Sequence, residues 1–253
     1  MSFSRLTLNT LRQFGLDPLL TVRAIKNLPR YFVDLSRYLI LEREGKVVIA
    51  PALQDFSADS GSARGHYFWQ DLICAKWVQQ NKPANHLDLG SRIDGFVAHL
   101  LTFMDVEILD IRPLGVDVPG LTSRIVNAQL GLSEVAGKYH SVSSLHSVEH
   151  FGLGRYNDPL DSRGHHEGLK NLSAAVAVGG ILYVSFPIGN PRVEFNSQRI
   201  IYPMWALEML TNFTLEEFVL IPWVEPPIYG LHPSRIDSDL EGQCGLYKFR
   251  RTS

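Results

Sequence analysis

From residue 66 onward the chain alternates short β-type runs with amphipathic helical stretches, and this alternation constrains the fold more than any other feature. Residues 67–80 read as a helix with Trp69, Leu72, Ile73 and Trp77 on one face. HLDLGS follows as a short apolar strand, 96–103 as a helix, and VEILDIRP as a second strand. SRIVNAQL, YHSVSSLHS and GILYVSFPIG supply further strands. HHEGLKNLSAAVAVGG reads as a helix stopped by its two glycines, and 202–213 as another helix. LEEFVLIPW and GLYKFRR close the pattern with only a proline-rich loop between them, so they should pair antiparallel. The expected fold is an α/β, doubly wound, Rossmann-like and mostly parallel seven-stranded sheet with an antiparallel last strand.

Residues 1–65 form an expected N-terminal helical appendage and lid, and 66–253 the main domain. Two apolar stripes, Leu16 to Ile25 and Phe32 to Ile40, predict two helices separated by Pro29. Arg5, Arg12, Arg23, Lys26 and Arg30 face Asp17 alone among acids in the first thirty residues, which reads as a solvated face or a contact with a membrane surface or an anionic substrate. VVIAP looks like a short strand, and DFSADSGSARG like a loop or lid.

Composition narrows the function classes. Two cysteines, Cys74 and Cys244, exclude a disulfide scaffold or a Cys-rich zinc site. A net charge of -2 offers no global electrostatic case for nucleic acid. No apolar run approaches the roughly 18–20 residues that span a bilayer. With no apolar signal-peptide core at the N-terminus, the expectation is a cytoplasmic protein. Neither G-x-S-x-G nor a Walker lysine loop is present.

Ligands of open parallel sheets bind at the carboxyl ends of the strands. At the first such end stand Asp88, Gly90, Ser91, Arg92 and Gly95. Gly90 permits φ > 0 and a close backbone approach, which suits a cofactor loop and also an ordinary strand–helix turn. Asp110 ends the second strand, where a carboxylate can accept from ribose hydroxyls. The third cluster, SLHSVEHFGLGRYND, brings His146, Glu149 and His150 together with Arg155 and Tyr156. Glu149 and His150 can act as a general base. HSVEH lacks the H-E-x-x-H order of a zincin helix, so no metal is expected. PIGNPRVEFNSQR, past the strongest strand, offers Asn196 and Arg199 to an anionic or polyhydroxyl substrate.

HLDLGSRIDGF, VEILDIRPL and SVSSLHSVEH, with the pair LEEFVLIP and GLYKFRR, resemble a class I S-adenosylmethionine-dependent methyltransferase over roughly residues 66–250. LPRYFVDLSRYLILER, SLHSVEHFGLGRYNDPLD and FNSQRIIYP resemble an uncharacterised methyltransferase-like family first described in nematodes and common in bacterial surface-polysaccharide gene clusters. The resemblance implies S-adenosylmethionine as cofactor. Asp88, Gly90, Ser91, Arg92 and Gly95 would face its methionine part, Asp110 and Ile111 its ribose, Asn127 and Ala128 its adenine. Leu145 and His146 would line the methyl cleft. The acceptor would be a small molecule or glycan, reached by Arg155, Tyr156, Asn196 and Arg199, with His150 or Glu149 as base. The cofactor loop departs from the family: Arg92 and Asp94 stand where glycines are usual. That departure keeps open a non-catalytic binding module, and less strongly an NAD-dependent enzyme.

Overall fold

The computed structural model describes residues 10–41, 45–58, 63–237 and 239–253. Arg5 and the stretch 59–62 of the expected lid lie outside the described residues. The chain divides into two compact units, 1–62 and 63–253.

The first unit is built on α1 (Pro18–Leu39). Asp17 caps it, its Oδ1 accepting from the amides of Leu19 and Leu20, and Pro18 occupies the first turn. The expected break at Pro29 does not occur, and one helix runs through it. The apolar residues on either side, such as Ile25 and Phe32, fall in phase on one face, so continuing the helix forfeits one backbone hydrogen bond and keeps the stripe intact. VVIAP forms no strand. The segment after it is held to α1 by polar contacts instead: Asn27 Nδ2 donates to the Leu53 carbonyl and Gln54 Nε2 to that of Leu20.

The second unit opens with α2 (His66–Asn81) and β1 (Leu87–Leu89). A π-type turn over Ile93–Val97 leads into the short α3 (Ala98–Leu100), where the sequence suggests one regular helix. Then come β2 (Val106–Asp110), β3 (Leu121–Ile125), β4 (Tyr139–Leu145) and α4 (Gly164–Ala175). β5 (Val176–Ile188) is followed by a small hairpin of β6 (Arg192–Glu194) and β7 (Gln198–Ile200). α5 (Trp205–Met209), β8 (Phe213–Ile221), β9 (Ile228–Tyr229) and β10 (Gln243–Arg251) complete the unit.

The main sheet has the order β3-β2-β1-β4-β5-β10-β8-β9. β1 to β5 pair in parallel, whereas β10 runs antiparallel to both β5 and β8. The eighth strand, β9, adds two residues to the edge of the seven expected. β5 shows why both faces are covered: Leu182, Val184 and Phe186 join one apolar cluster with Leu169 and Leu172 of α4. Ile181 and Tyr183 join the other with Cys74, Trp77 and Val78 of α2. Strand alternation thus feeds two helical layers.

Gly179 and Gly180 do not stop a helix. α4 ends four residues earlier, and both glycines lie inside β5. The β-branched Val176 and Val178 favour extension. The register against β4 slips there, and Gly179, at φ 80°, takes up the bulge.

Candidate active site

The chain order of the sheet reverses between β1 and β4, and the crevice that forms there is the usual ligand position in an open α/β sheet. Asp88 does not face this crevice; it is buried in β1. Its Oδ1 accepts from the Ser91 amide at 2.9 Å, and its Oδ2 from Ser91 Oγ at 2.6 Å and Ser143 Oγ at 2.5 Å. Ser143 Oγ, having given its proton to Asp88, accepts from His86 Nε2 at 2.9 Å, so His86 Nδ1 accepts from Ser141 Oγ at 2.6 Å. Ser91 Oγ in turn accepts from the Leu145 amide. Asp88 and Ser91 therefore shape the turn from below. At its apex Gly90 has φ 69°, and a Cβ there would overlap Ser147 Oγ.

Arg92 and Asp94 fill the positions where glycines are usual, but they point away from the crevice. Arg92 pairs with Asp94 at 2.8 Å and lies over the Tyr67 ring. The altered loop therefore does not crowd the cleft. Gly95 packs on Asp71, and a Cβ there would overlap that carboxylate.

At the end of β2, Asp110 accepts two bonds from the Arg112 guanidinium, at 2.9 and 2.7 Å, and a third from the Arg112 amide. Arg112 also lies over the Tyr156 ring, 4.4 Å from its centroid. Beyond β3, Asn127 caps a short turn by accepting from the Gln129 amide.

After β4 the chain passes through His146, a non-glycine residue at φ 49°. Its Nδ1 meets Glu149 Oε1 at 2.8 Å, and both residues are buried. Burial disfavours charge on His146, yet the Cys244 sulfur and the Glu149 carboxylate beside it raise its pKa well above the ordinary range. Glu149 is lowered despite its burial, by His150 and His146. Glu149, at 0% exposure and bonded to His146, is not a free base. His150 differs. Its Nδ1 donates to the Ser197 carbonyl at 2.7 Å, with Arg155 Nη1 3.2 Å away, and its Nε2 lies 3.7 Å from Glu149 Oε1. Burial lowers its pKa, against the raising effect of the Glu149 carboxylate.

GLGRYND forms a pinned loop. The Asp158 carboxylate accepts from the amides of Gly152, Gly154 and Tyr156. Gly152 and Gly154 have φ 78° and 69°. Arg199 is nearly buried, and its guanidinium donates to the carbonyls of Glu149, Phe151 and Asp161. It clamps this loop and does not face a substrate, which corrects the sequence expectation. Asn196 is exposed in the turn between β6 and β7 and does not line the cleft, though the carbonyl of the next residue, Ser197, bonds His150.

The resulting cleft is open to solvent and spans about 500 Å³ of space between its walls and the solvent outside. Of the residues expected from sequence, it is lined by Gly90, Asp110, Ile111, Asn127, Ala128, His146, His150 and Tyr156. Asp88, Ser91, Leu145 and Glu149 support it from the interior, and Arg155 reaches its rim by donating to the Ser197 carbonyl. Sequence reading missed Arg112, Ser147 and Phe151, which also line it. The i, i+2 spacing of Arg112 from a strand-terminal acid was the available signal.

The buried histidines set the acid sensitivity of the fold. Burial carries His66, His86 and His165 from an ordinary 6.5 to about 3, so unfolding takes up three protons as pH falls through 6.5. Burial carries Asp71 and Asp88 up to about 6, an opposite but smaller effect. The stability due to the histidines is present above 6.5 and is lost on the way to 3. The thermal midpoint is expected to fall steadily below pH 6.5; a midpoint that rises toward pH 5 would contradict neutral burial of these imidazoles.

A family profile described as "Caenorhabditis protein of unknown function, DUF268" matches residues 124–218. No curated protein matches the chain. The structure resembles class I S-adenosylmethionine-dependent methyltransferases. N-methyltransferase NodS from Bradyrhizobium japonicum WM9, in complex with S-adenosyl-L-homocysteine, aligns with TM-score 0.52 at 12% identity, over 88% of this chain and 99% of that one. The Burkholderia thailandensis 1,6-didemethyltoxoflavin-N1-methyltransferase aligns with TM-score 0.50 at 13% identity, over 73% and 79% of the two chains. The cyclase SpnF aligns with TM-score 0.50 at 10% identity, over 72% and 81%. At these identities the likeness defines the fold, a Rossmann-like methyltransferase fold, and not a reaction.

Proposed function

We propose that residues 66–253 form an S-adenosylmethionine-dependent methyltransferase domain acting on a small or glycan-type acceptor, with residues 1–65 as an appendage. The likeness to the cyclase SpnF means that the fold alone does not select methyl transfer. The observation that carries the reading is the juxtaposition of Gly90, Asp110 and His150 around one cleft at the sheet's switch point.

The residues present fit the cofactor. Gly90, at φ 69° with Ser147 Oγ packed where a Cβ would sit, turns its bare backbone along the cleft wall toward the methionine part. Asp110 supplies the carboxylate for ribose hydroxyls. Its bond to Arg112 does not forbid this, because the Arg112 side chain is 52% exposed and an ion pair so placed is worth about 0–1 kcal/mol. Leu109, Val126, Ala128 and Phe151 give the apolar walls an adenine needs.

When bound, the cofactor supplies an already activated sulfonium methyl, so the protein's work is alignment, water exclusion and proton removal. His150 Nε2 takes the proton of an acceptor hydroxyl, and the Ser197 carbonyl fixes its tautomer. His146, held by Glu149, positions the same loop. Tyr156, with Arg112 and Arg155 against its ring, walls the acceptor side. A role in surface-polysaccharide synthesis in the cytoplasm is consistent with a polyhydroxyl acceptor.

Titration calorimetry tests the reading: S-adenosylmethionine and S-adenosylhomocysteine should both bind at micromolar concentration. Absence of uptake at millimolar concentration would favour a non-catalytic binding module.

A further inference from the structure

α1 is a 22-residue helix in which no residue is buried. Its own unit covers only part of it. The segment after residue 45 is bonded along the side that carries Leu20 and Asn27. Ala24, Tyr31 and Leu35, on that same side by helical periodicity, are partly covered. The opposite side is apolar and open: Val22 is 50% exposed, Ile25 65%, Phe32 56% and Val33 47%. Phe14 and Leu16 extend this exposed surface beyond the helix.

The charges are placed to match. Arg23, Lys26, Arg30 and Arg37 share the narrow polar face with one acid, Asp34. Asp34 pairs with Arg30. Among the described residues, Arg23, Lys26 and Arg37 have no ion pair. Five charges within the helix rule out burying it across a bilayer core, and no helix among the described residues is long and apolar enough to cross a membrane. A broad apolar face bordered by uncompensated cations is the pattern of a helix lying in the interface of an anionic bilayer.

We propose that α1 is an in-plane membrane-binding helix. Val22, Ile25, Phe32 and Val33 enter the headgroup–acyl boundary, while Arg23, Lys26 and Arg37 meet anionic headgroups. Binding is peripheral and reversible, since a single helix of this kind anchors weakly.

Vesicle sedimentation of the full chain tests this. Vesicles containing about a third phosphatidylserine should pellet the protein, and pure phosphatidylcholine at least about tenfold less. An Arg23→Gln/Lys26→Gln/Arg37→Gln variant should lose at least about tenfold of the anionic-vesicle binding, as should added salt. Ile25→Asp/Phe32→Asp should abolish binding to both vesicle types. The charge variant leaves the apolar face intact, so the test holds even if the aspartate variant misfolds. Failure to pellet with either vesicle overturns the proposal. So does equal binding to both, unchanged in the charge variant. So does a concentration-dependent dimer dispersed by Ile25→Asp/Phe32→Asp, which would assign the face to a second copy.

Discussion

Replacing Asp110 with alanine is expected to weaken S-adenosylmethionine binding about a hundredfold. Two hydrogen bonds from ribose hydroxyls to a carboxylate contribute about 1.5 kcal/mol each, and both vanish together. The fold should survive, because Asp110 is half-buried at a strand end and its partner Arg112 can turn to solvent while keeping its contact with Tyr156. Arg112→Gln separates the two possible uses of the carboxylate. If Asp110 holds ribose, freeing it from Arg112 leaves affinity unchanged or strengthens it by a few fold. Calorimetry that shows equal affinity for wild type and Asp110→Ala would sink the ribose assignment.

His150→Ala should lower kcat by about 10²–10⁴ while leaving cofactor affinity within about twofold, the range for loss of a positioned base. Formation of S-adenosylhomocysteine over a panel of hydroxyl-bearing acceptors reads this out. The pH profile adds an independent check. Burial lowers the His150 pKa from 6.5, and the reactive form is the neutral one. Activity should therefore be level above pH 6.5 and fall only below it. An acid limb centred above 6.5, or a rate in the variant near that of wild type, would remove His150 from the chemistry.

The strand ends of β1, β2 and β4 were legible because each closes a buried apolar run with an acid, a glycine or a histidine. Local pattern carries that information. Glu149 and Arg199 were misread because their roles depend on distant contacts. Arg199 enters the loop after β4 only because the β6–β7 hairpin docks there, some 40–50 residues from the carbonyls it binds. Glu149 looked available beside His150, yet the φ 49° backbone of His146 folds that imidazole onto it. Pro29 was read as a breaker, but an in-phase apolar stripe outweighed one lost bond. The glycines at 179 and 180 were legible as irregularity and not as its kind, since a bulge is defined by the partner strand.

The file of side chains from Ser141 through His86, Ser143, Asp88 and Ser91 to the Leu145 amide bolts β1 to β4 from within. These are the two strands whose tips diverge to open the crevice. A parallel pair this short, three residues of β1, would otherwise be free to shear. Ser141 Oγ donates to His86, and Ser143 Oγ and Ser91 Oγ each accept one proton and give one away, so the run converges from both sides on the Asp88 carboxylate. The mouth of the cleft is thus tensioned like a strung instrument: its width is set by the strings beneath the bridge, and the loops above can vary in sequence without changing the pitch.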